Sequence, residues 1–442
     1  MFIGVQGNVN QYRVFFKNTA TLGVGTAAAQ VIPFLLTPVV ARLYCSRDMG
    51  FYSLYLSTVN ILAQGACFKY EMAIVSCETE WEAEQIARLC AVVLTAMALL
   101  SAGVGAITGF YFLHFTGGNI WGYSVLLALG VGAIGWFSVL SNRCIFYKKY
   151  KALAFSSFIR AAVYGGLQVM LFPLGGSGLI AAQVGGYICA CIVLRYKLPS
   201  ALRESSKKLL NKRKVKAWKD TMVKYRAFPL YTMPGAAANT AALGQISFWA
   251  SWGYSSQELG GYAMVDRVLS LPLSLISNAV GQVFFKQAAE EYKNTGKINS
   301  FPRVWAALAV LSVIGFGGLS LCLPWAVSLF LGPKWLGCIG YSRRLLPLYV
   351  IRFACAPLLF TAVVMGKQKA MMAWQVGTLL FAAAAFYQGV SSKIAFESFL
   401  TQGALVLAGA YVFFAGICCF WAVKGKPKEN KSGETKGETK CR

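Results

Sequence analysis

The chain has 442 residues, a formal net charge of +26 and an apolar share of 57%. Only 13% of its residues are charged, about half the share of soluble chains, and its mean hydropathy of +0.55 excludes an ordinary soluble domain. Lys and Arg gather between apolar stretches rather than across one face, which argues against nucleic acid as the partner.

A membrane-crossing helix needs about 20 consecutive apolar residues. Taken in chain order, the sequence predicts twelve, at 20–43, 50–76, 86–112, 121–146, 152–173, 177–196, 228–252, 260–283, 304–331, 344–364, 370–389 and 399–423. The runs are continuously apolar, whereas barrel strands alternate. Residues 1–17 are polar and the first apolar run is too long for a signal core, so no cleaved leader is expected. The stretch 89–142 lacks charge and holds two spans, with a turn at Thr116-Gly117-Gly118-Asn119. The thirteen cysteines are scattered, Cys189 and Cys191 lack a second pair at zinc spacing, and His114 is the only histidine. Neither a metal nor a cofactor is therefore expected.

Orientation follows from the placement of basic residues. With the N-terminus inside, inner segments hold 31 of the 42 Lys and Arg, outer segments 6, and spans 5. Both termini are expected in the cytoplasm. The fold expected is an all-α membrane protein with two pseudo-symmetric six-helix lobes around a central cavity. The lobes are 1–197 and 228–423, joined by a basic cytoplasmic linker, 198–227, that rests on anionic lipid. The polar tail 424–442 is expected to be disordered. An internal repeat supports two lobes: Asp48-Met49-Gly50-Phe51-Tyr52 and Glu258-Leu259-Gly260-Gly261-Tyr262 recur 210 residues apart. An even number of helices per half makes the repeat parallel.

Several motifs carry a family resemblance. They are Gly25 through Gln30, Pro38-x-x-Ala41-Arg42-Leu43-Tyr44, Met49-Gly50-Phe51-Tyr52 and Lys69-Tyr70-Glu71-x-Ala73-Ile74 in the first half. In the second they are Tyr225-Arg226-x-Phe228-Pro229-Leu230-Tyr231 and Gly260-x-Tyr262 with Arg267-x-Leu269-x-x-Pro272. In this order the chain resembles the O-antigen (Wzx-type) flippases of the multidrug/oligosaccharidyl-lipid/polysaccharide exporter (MOP) superfamily. The resemblance implies a bacterial inner-membrane protein that moves polyprenyl-diphosphate-linked sugar repeats. It also implies polysaccharide polymerase machinery as a partner. Where that family commonly has Arg before Tyr-Glu, this chain has Lys69, which keeps the charge but loses the bidentate fork.

Ionisable residues inside spans are costly and mark function by default. Arg352 is the deepest cation by residue count, and Arg160, Arg267 and Lys69 follow as candidates for a diphosphate. Glu71 and Asp266 are the embedded acids available for ion coupling, and by residue count neither lies beside Arg352. Lys69 and Glu71, two apart, are expected on different faces of one helix. Arg88 and Arg143 are read as cations reaching for the inner surface. Gln30, Gln168, Gln183, Asn239 and Gln245 are embedded amides suited to sugars or to neighbouring helices. There is no G-x-x-x-x-G-K-[ST] run, so movement is passive or ion-coupled and no enzyme is expected. The rivals are a drug or cation exporter of the same superfamily, a polysaccharide polymerase or ligase, and a lipid II flippase with two further helices. The first would want embedded carboxylates, and the second large outer loops, which this chain lacks.

Overall fold

A computed structural model describes residues 29–77, 79–111, 120–198, 222–226 and 228–425. The turn at 116–119, His114, most of the basic linker and the tail beyond 425 lie outside them. Among the described residues there is no strand. Helices stand where the apolar runs predicted them: α1 (Ala29–Leu43), α2 (Ser46–Gly65), α3 (Glu80–Tyr111), α4 (Ile120–Phe146), α5 (Tyr150–Met170) and α6 (Gly176–Lys197). The second half holds α7 (Met233–Gly253), α8 (Ser256–Thr295), α9 (Phe301–Phe330), α10 (Ile339–Cys355), α11 (Gln368–Ser391) and α12 (Phe396–Lys424). Short helical turns carry α10 on to Val364.

Nine of the described helices are long and apolar enough to cross a membrane, so the chain is a multi-pass membrane protein. The three that do not qualify, α1, α2 and α7, have a physical reason in common only in part. Helix α1 is seen only from Ala29. Helices α2 and α7 carry serines, asparagines and a threonine that face one another across a cavity. Those polar faces line the cavity.

Within the first half α3 packs on α4 and α5 on α6, and within the second α9 and α12 flank α10. The halves meet through α2, which packs on both α7 and α8. Helix α2 runs antiparallel to α7: Ser53 meets Ser247 at 2.9 Å, and a Cβ on Gly244 would touch Ser57 at 3.4 Å. Further along, a Cβ on Gly65 would meet Met233 at 3.3 Å.

The repeat turns out to be a pair of helix starts in contact. Helix α2 begins with a capping box in which Asp48 accepts from the Cys45 amide at 3.1 Å. Helix α8 begins likewise, Glu258 accepting from the Ser255 amide at 2.9 Å. Each box satisfies amides that have no partner inside the helix. Two residues past each acid a glycine lets the backbones cross. A Cβ on Gly50 would lie 2.7 Å from the Ser256 carbonyl, and one on Gly260 would overlap the Ser46 carbonyl. At this same end Lys334 donates to the carbonyls of Arg42 (3.1 Å) and Tyr44 (2.9 Å). The buried Trp335 donates to Ala41 at 2.9 Å. The halves are thus stitched together where α2 and α8 begin.

At the opposite end the acidic first turn of α3 meets the end of the linker. Glu82 accepts from Lys224 and, at 3.1 Å, from Tyr225. The bond to Glu82 lifts the exposed Lys224 ammonium to about 12.

Candidate functional site

A cavity of about 310 Å³ lies between α2 of the first half and α7, α8 and α10 of the second. Polar side chains line it from every wall: Ser53, Ser57 and Asn60 on α2, Asn239, Thr240 and Ser247 on α7, and Tyr262, Asp266 and Ser270 on α8. Helix α10 contributes Tyr349 and Arg352. The spacing explains the convergence. Residues 262, 266 and 270 recur every four, and 349 and 352 are three apart, so each set shares one helix face.

Arg352 is the cation of this cavity. Its guanidinium lies 5.8 Å from the ring centre of Tyr349 and 5.9 Å from that of Tyr411, within cation–π range. Its Nε is buried without a hydrogen-bond partner. The expectation that no carboxylate is near is corrected: Asp266 lines the same cavity, and Tyr349 donates its hydroxyl to Asp266. Helix α8 starts at Ser256 and α10 at Ile339, four to five residues earlier than predicted. Those extra turns put both residues deeper, about 15 and 20 Å from the helix starts. Among the described residues no acid comes within ion-pair distance of Arg352.

The other predicted cations stand elsewhere. Arg267, next to Asp266 but turned about 100° around α8, reaches into the first half. It donates to Thr37 Oγ1 at 3.2 Å, the Pro33 carbonyl at 3.4 Å and Gln168 Oε1 at 3.2 Å. The Pro33 carbonyl accepts from both Thr37 Oγ1, at 2.9 Å, and Arg267. Arg267 is therefore a strut between the halves and not part of the cavity wall. Arg160 lies inside the first half, 4.9 Å from the ring centre of Tyr187 and 5.7 Å from that of Phe137.

Lys69 and Glu71 correct a second expectation. They are 3.9 Å apart, an ion pair, because the predicted helix over 50–76 breaks. Helix α2 stops at Gly65, Phe68 and Lys69 take left-handed backbone (φ +48° and +62°), and a 3₁₀ helix, Tyr70–Ser76, resumes. Neither residue lines the cavity. Arg88 and Arg143 do not reach for solvent either: both pair with Glu84, Arg143 at 3.0 Å and Arg88 at 3.5 Å. Arg143 is only 2% exposed. Glu84→Gln is expected to strand that guanidinium and destabilise the protein by about 3–5 kcal/mol. Thermal unfolding in detergent reads the loss, and a change under about 1 kcal/mol would contradict the pairing.

Of the five amides singled out in the sequence only Asn239 lines the cavity. Gln30 accepts from Ser274 at 2.8 Å, Gln183 from Tyr52 at 3.0 Å, and Gln245 donates to the Ala242 carbonyl at 3.2 Å. These hold helices. Tyr349, Asn60 and the α2 serines escaped the sequence reading, and Tyr262 entered it only through the repeat and the family motif. Their signal was a polar residue recurring every three or four positions in an apolar run. Among the described residues no cluster of His, Cys, Asp or Glu is placed to hold a metal.

Paired halves around a polar interior cavity define the architecture of this multi-pass membrane protein. Comparison with known proteins shows what this architecture is similar to. Residues 123–340 match the family described as "Polysaccharide biosynthesis protein". The fold is shared with a MATE-family multidrug-resistance transporter of the MOP superfamily in an inward-facing conformation. That pair has 13% identity and a TM-score of 0.58, covering 91% of this chain and 93% of that one. It is shared also with the lipid II flippase MurJ in an inward closed conformation (11%, 0.63, 90% and 86%). A third is a MOP-superfamily transporter from Pyrococcus furiosus with a binding pocket of reversed polarity (12%, 0.53, 92% and 94%). No curated protein of similar sequence matches. The chain therefore shares the fold of these solved MOP-superfamily proteins.

Proposed function

We propose that this protein is a flippase that carries a polyprenyl-diphosphate-linked oligosaccharide from the cytoplasmic to the periplasmic leaflet of a bacterial inner membrane. The lobes are taken as 1–197 and 228–423, and both termini as cytoplasmic. One observation carries the reading: the Arg352 guanidinium, with no acid within ion-pair distance, in a cavity walled by hydroxyls, the amides of Asn60 and Asn239 and the single carboxylate of Asp266. A diphosphate cannot cross hydrocarbon unpaired, and charge-assisted hydrogen bonds from Arg352 replace part of its hydration. The hydroxyls and Asn239 suit a sugar. The match to polysaccharide biosynthesis supports a glycan product, and a protein of the same fold is described as a lipid II flippase.

In this reading the stitched end, where α2 and α8 begin, faces the periplasm, and the state seen is closed to the outside. Arg267 holds the halves in that state rather than touching substrate, and Arg160 and Lys69 act within the first half. Asp266, beside Arg352, is the better of the two coupling acids, since Glu71 is paired to Lys69. Asp266 also favours a second reading, an exporter of cations, because a carboxylate in the cavity attracts them. Deleting the gene separates the two. Lipid-linked repeats accumulating inside, with surface polysaccharide lost, support the flippase; unchanged polysaccharide with cells newly sensitive to cationic drugs supports the exporter.

Orientation is tested along one helix. In a background without reactive cysteines, Gln257→Cys at the start of α8 is expected to label from outside intact cells. Asn294→Cys, at its other end, is expected to label only after lysis. The reverse pattern would invert the topology.

A further inference from the structure

We propose that the turn joining α4 to α5, with the end of α6, binds the phosphate headgroup of an anionic phospholipid, at a site separate from the transport cavity. A second cavity, of about 630 Å³, is lined by Lys148, Lys149, Lys151 and Lys197 together with Tyr150 and Phe155. Its lining holds four cations and no carboxylate. Among the described residues none of the four forms an ion pair. Cations held this close raise one another's energy, and a bound anion relieves it.

The backbone adds to the attraction. Tyr150 and Lys151 form the first turn of α5, and no side chain caps its free amides. Lys149 Nζ donates to the Lys197 carbonyl at 2.6 Å, which ties the end of α6 to the turn and fixes two walls of the cavity.

The second half contains the same turn without the site, which makes an internal control. There Met365 donates to Thr361 (3.0 Å), Gly366 to Val363 (3.1 Å) and Lys367 to Ala362 (2.7 Å). Here Tyr147 donates to Arg143 (2.9 Å), Lys148 to Ile145 (3.0 Å) and Lys149 to Cys144 (2.8 Å). The pivotal residue is left-handed in both, and the second half fills it with Gly366 (φ +69°), which that backbone favours. The first half fills it with Lys148 (φ +54°), against that preference. The cations of the second turn are engaged: Lys367 stands over Trp421 and Lys369 over Tyr231, at 5.7 and 5.6 Å. The lysines of the first turn face a cavity instead.

The ligand is a lipid because of where the cavity lies. It sits at the ends of three spans, α4, α5 and α6, and the ends of spans are where lipid headgroups meet a membrane protein. Just inside it Phe155 is 51% exposed, an apolar side chain beside which an acyl chain can run. The inference rests on the chain being a multi-pass membrane protein and not on its substrate, so it survives or fails independently of the flippase reading.

The test uses the purified full chain in detergent and native mass spectrometry, with phosphatidylglycerol and phosphatidylcholine as competing probes. The wild type is expected to retain phosphatidylglycerol preferentially. Lys148→Gly with Lys151→Gln is expected to weaken that retention on the order of 30-fold, from about 1 kcal/mol per cation near an anionic surface. Lys148→Gly alone should not lower the unfolding temperature, because glycine suits the turn, so folding is controlled. Lys367→Gln with Lys369→Gln removes the same charge from the other turn and should change nothing. Equal retention in the first double variant would overturn the proposal. So would an equal loss in the second, which would mean diffuse charge. Complete displacement of the lipid by equimolar inorganic phosphate would also overturn it, by making the site one for a soluble anion.

Discussion

Arg352→Ala is expected to abolish transport, and Arg352→Lys to retain part of it. Arg352 sits about 20 Å into α10, where an unpaired guanidinium facing lipid costs about 2.5–3.5 kcal/mol or more. It faces the cavity instead, flanked by Tyr349 and Tyr411 and with Nε lacking a partner. An anion arriving there meets a desolvated cation, and truncating one partner of such a contact costs about 2–5 kcal/mol. Flipping should therefore fall on the order of 30-fold or more in the alanine variant. Lysine restores the charge but not the planar fork, so it recovers part of the rate. Rates are read per molecule of folded protein, after size-exclusion chromatography. Wild-type rates in Arg352→Ala would remove Arg352 from the transport path.

The second large effect is expected at Gly260. Its missing side chain is what allows α8 to cross α2, since any Cβ there meets the Ser46 carbonyl, a backbone atom that cannot rotate away. Overpacking of this kind costs about 1–3 kcal/mol. The cost falls only on the state in which these helix starts touch. Gly260→Ala should lower the population of that closed state roughly 5- to 150-fold, and Gly260→Leu should eliminate it. Transport cycles that pass through the state then stop while the fold survives. A cysteine pair at Ser46 and Ser256 reports closure by crosslinking in both backgrounds. Undiminished crosslinking in Gly260→Leu would show that the crossing is not tight in the membrane.

The helices were legible because lipid leaves a chain little choice: apolar runs of 20 or more residues must satisfy their own amides. The repeat was legible as acid, glycine and tyrosine, though its meaning was not. Position 45 is a cysteine where position 255 is a serine, so the shared capping box was hidden until Asp48 and Glu258 were seen accepting from both caps. The site was legible only in part. Arg352 stood out by depth, while Asp266 was misplaced because a few residues' error at a helix start is about a quarter of a bilayer leaflet or more in depth. Arg267 looked like Arg352 in sequence, since hydropathy does not tell which face of a helix meets a cavity and which meets another helix. The Lys69–Glu71 pair depended on a left-handed break at Phe68 and Lys69 that no glycine announces.

The central claim is that the cavity passes a lipid-linked, phosphate-bearing saccharide between leaflets. It is tested most directly by reconstituting the purified chain in liposomes with a polyprenyl-diphosphate-linked oligosaccharide carrying a fluorophore on its sugar. A membrane-impermeant quencher is then added. The account predicts that the fraction quenched rises from about one half toward completeness in the presence of the wild-type chain, and stays near one half with Arg352→Ala. A fraction that stays near one half with the wild type, in vesicles where the same chain carries a cationic drug, would contradict it.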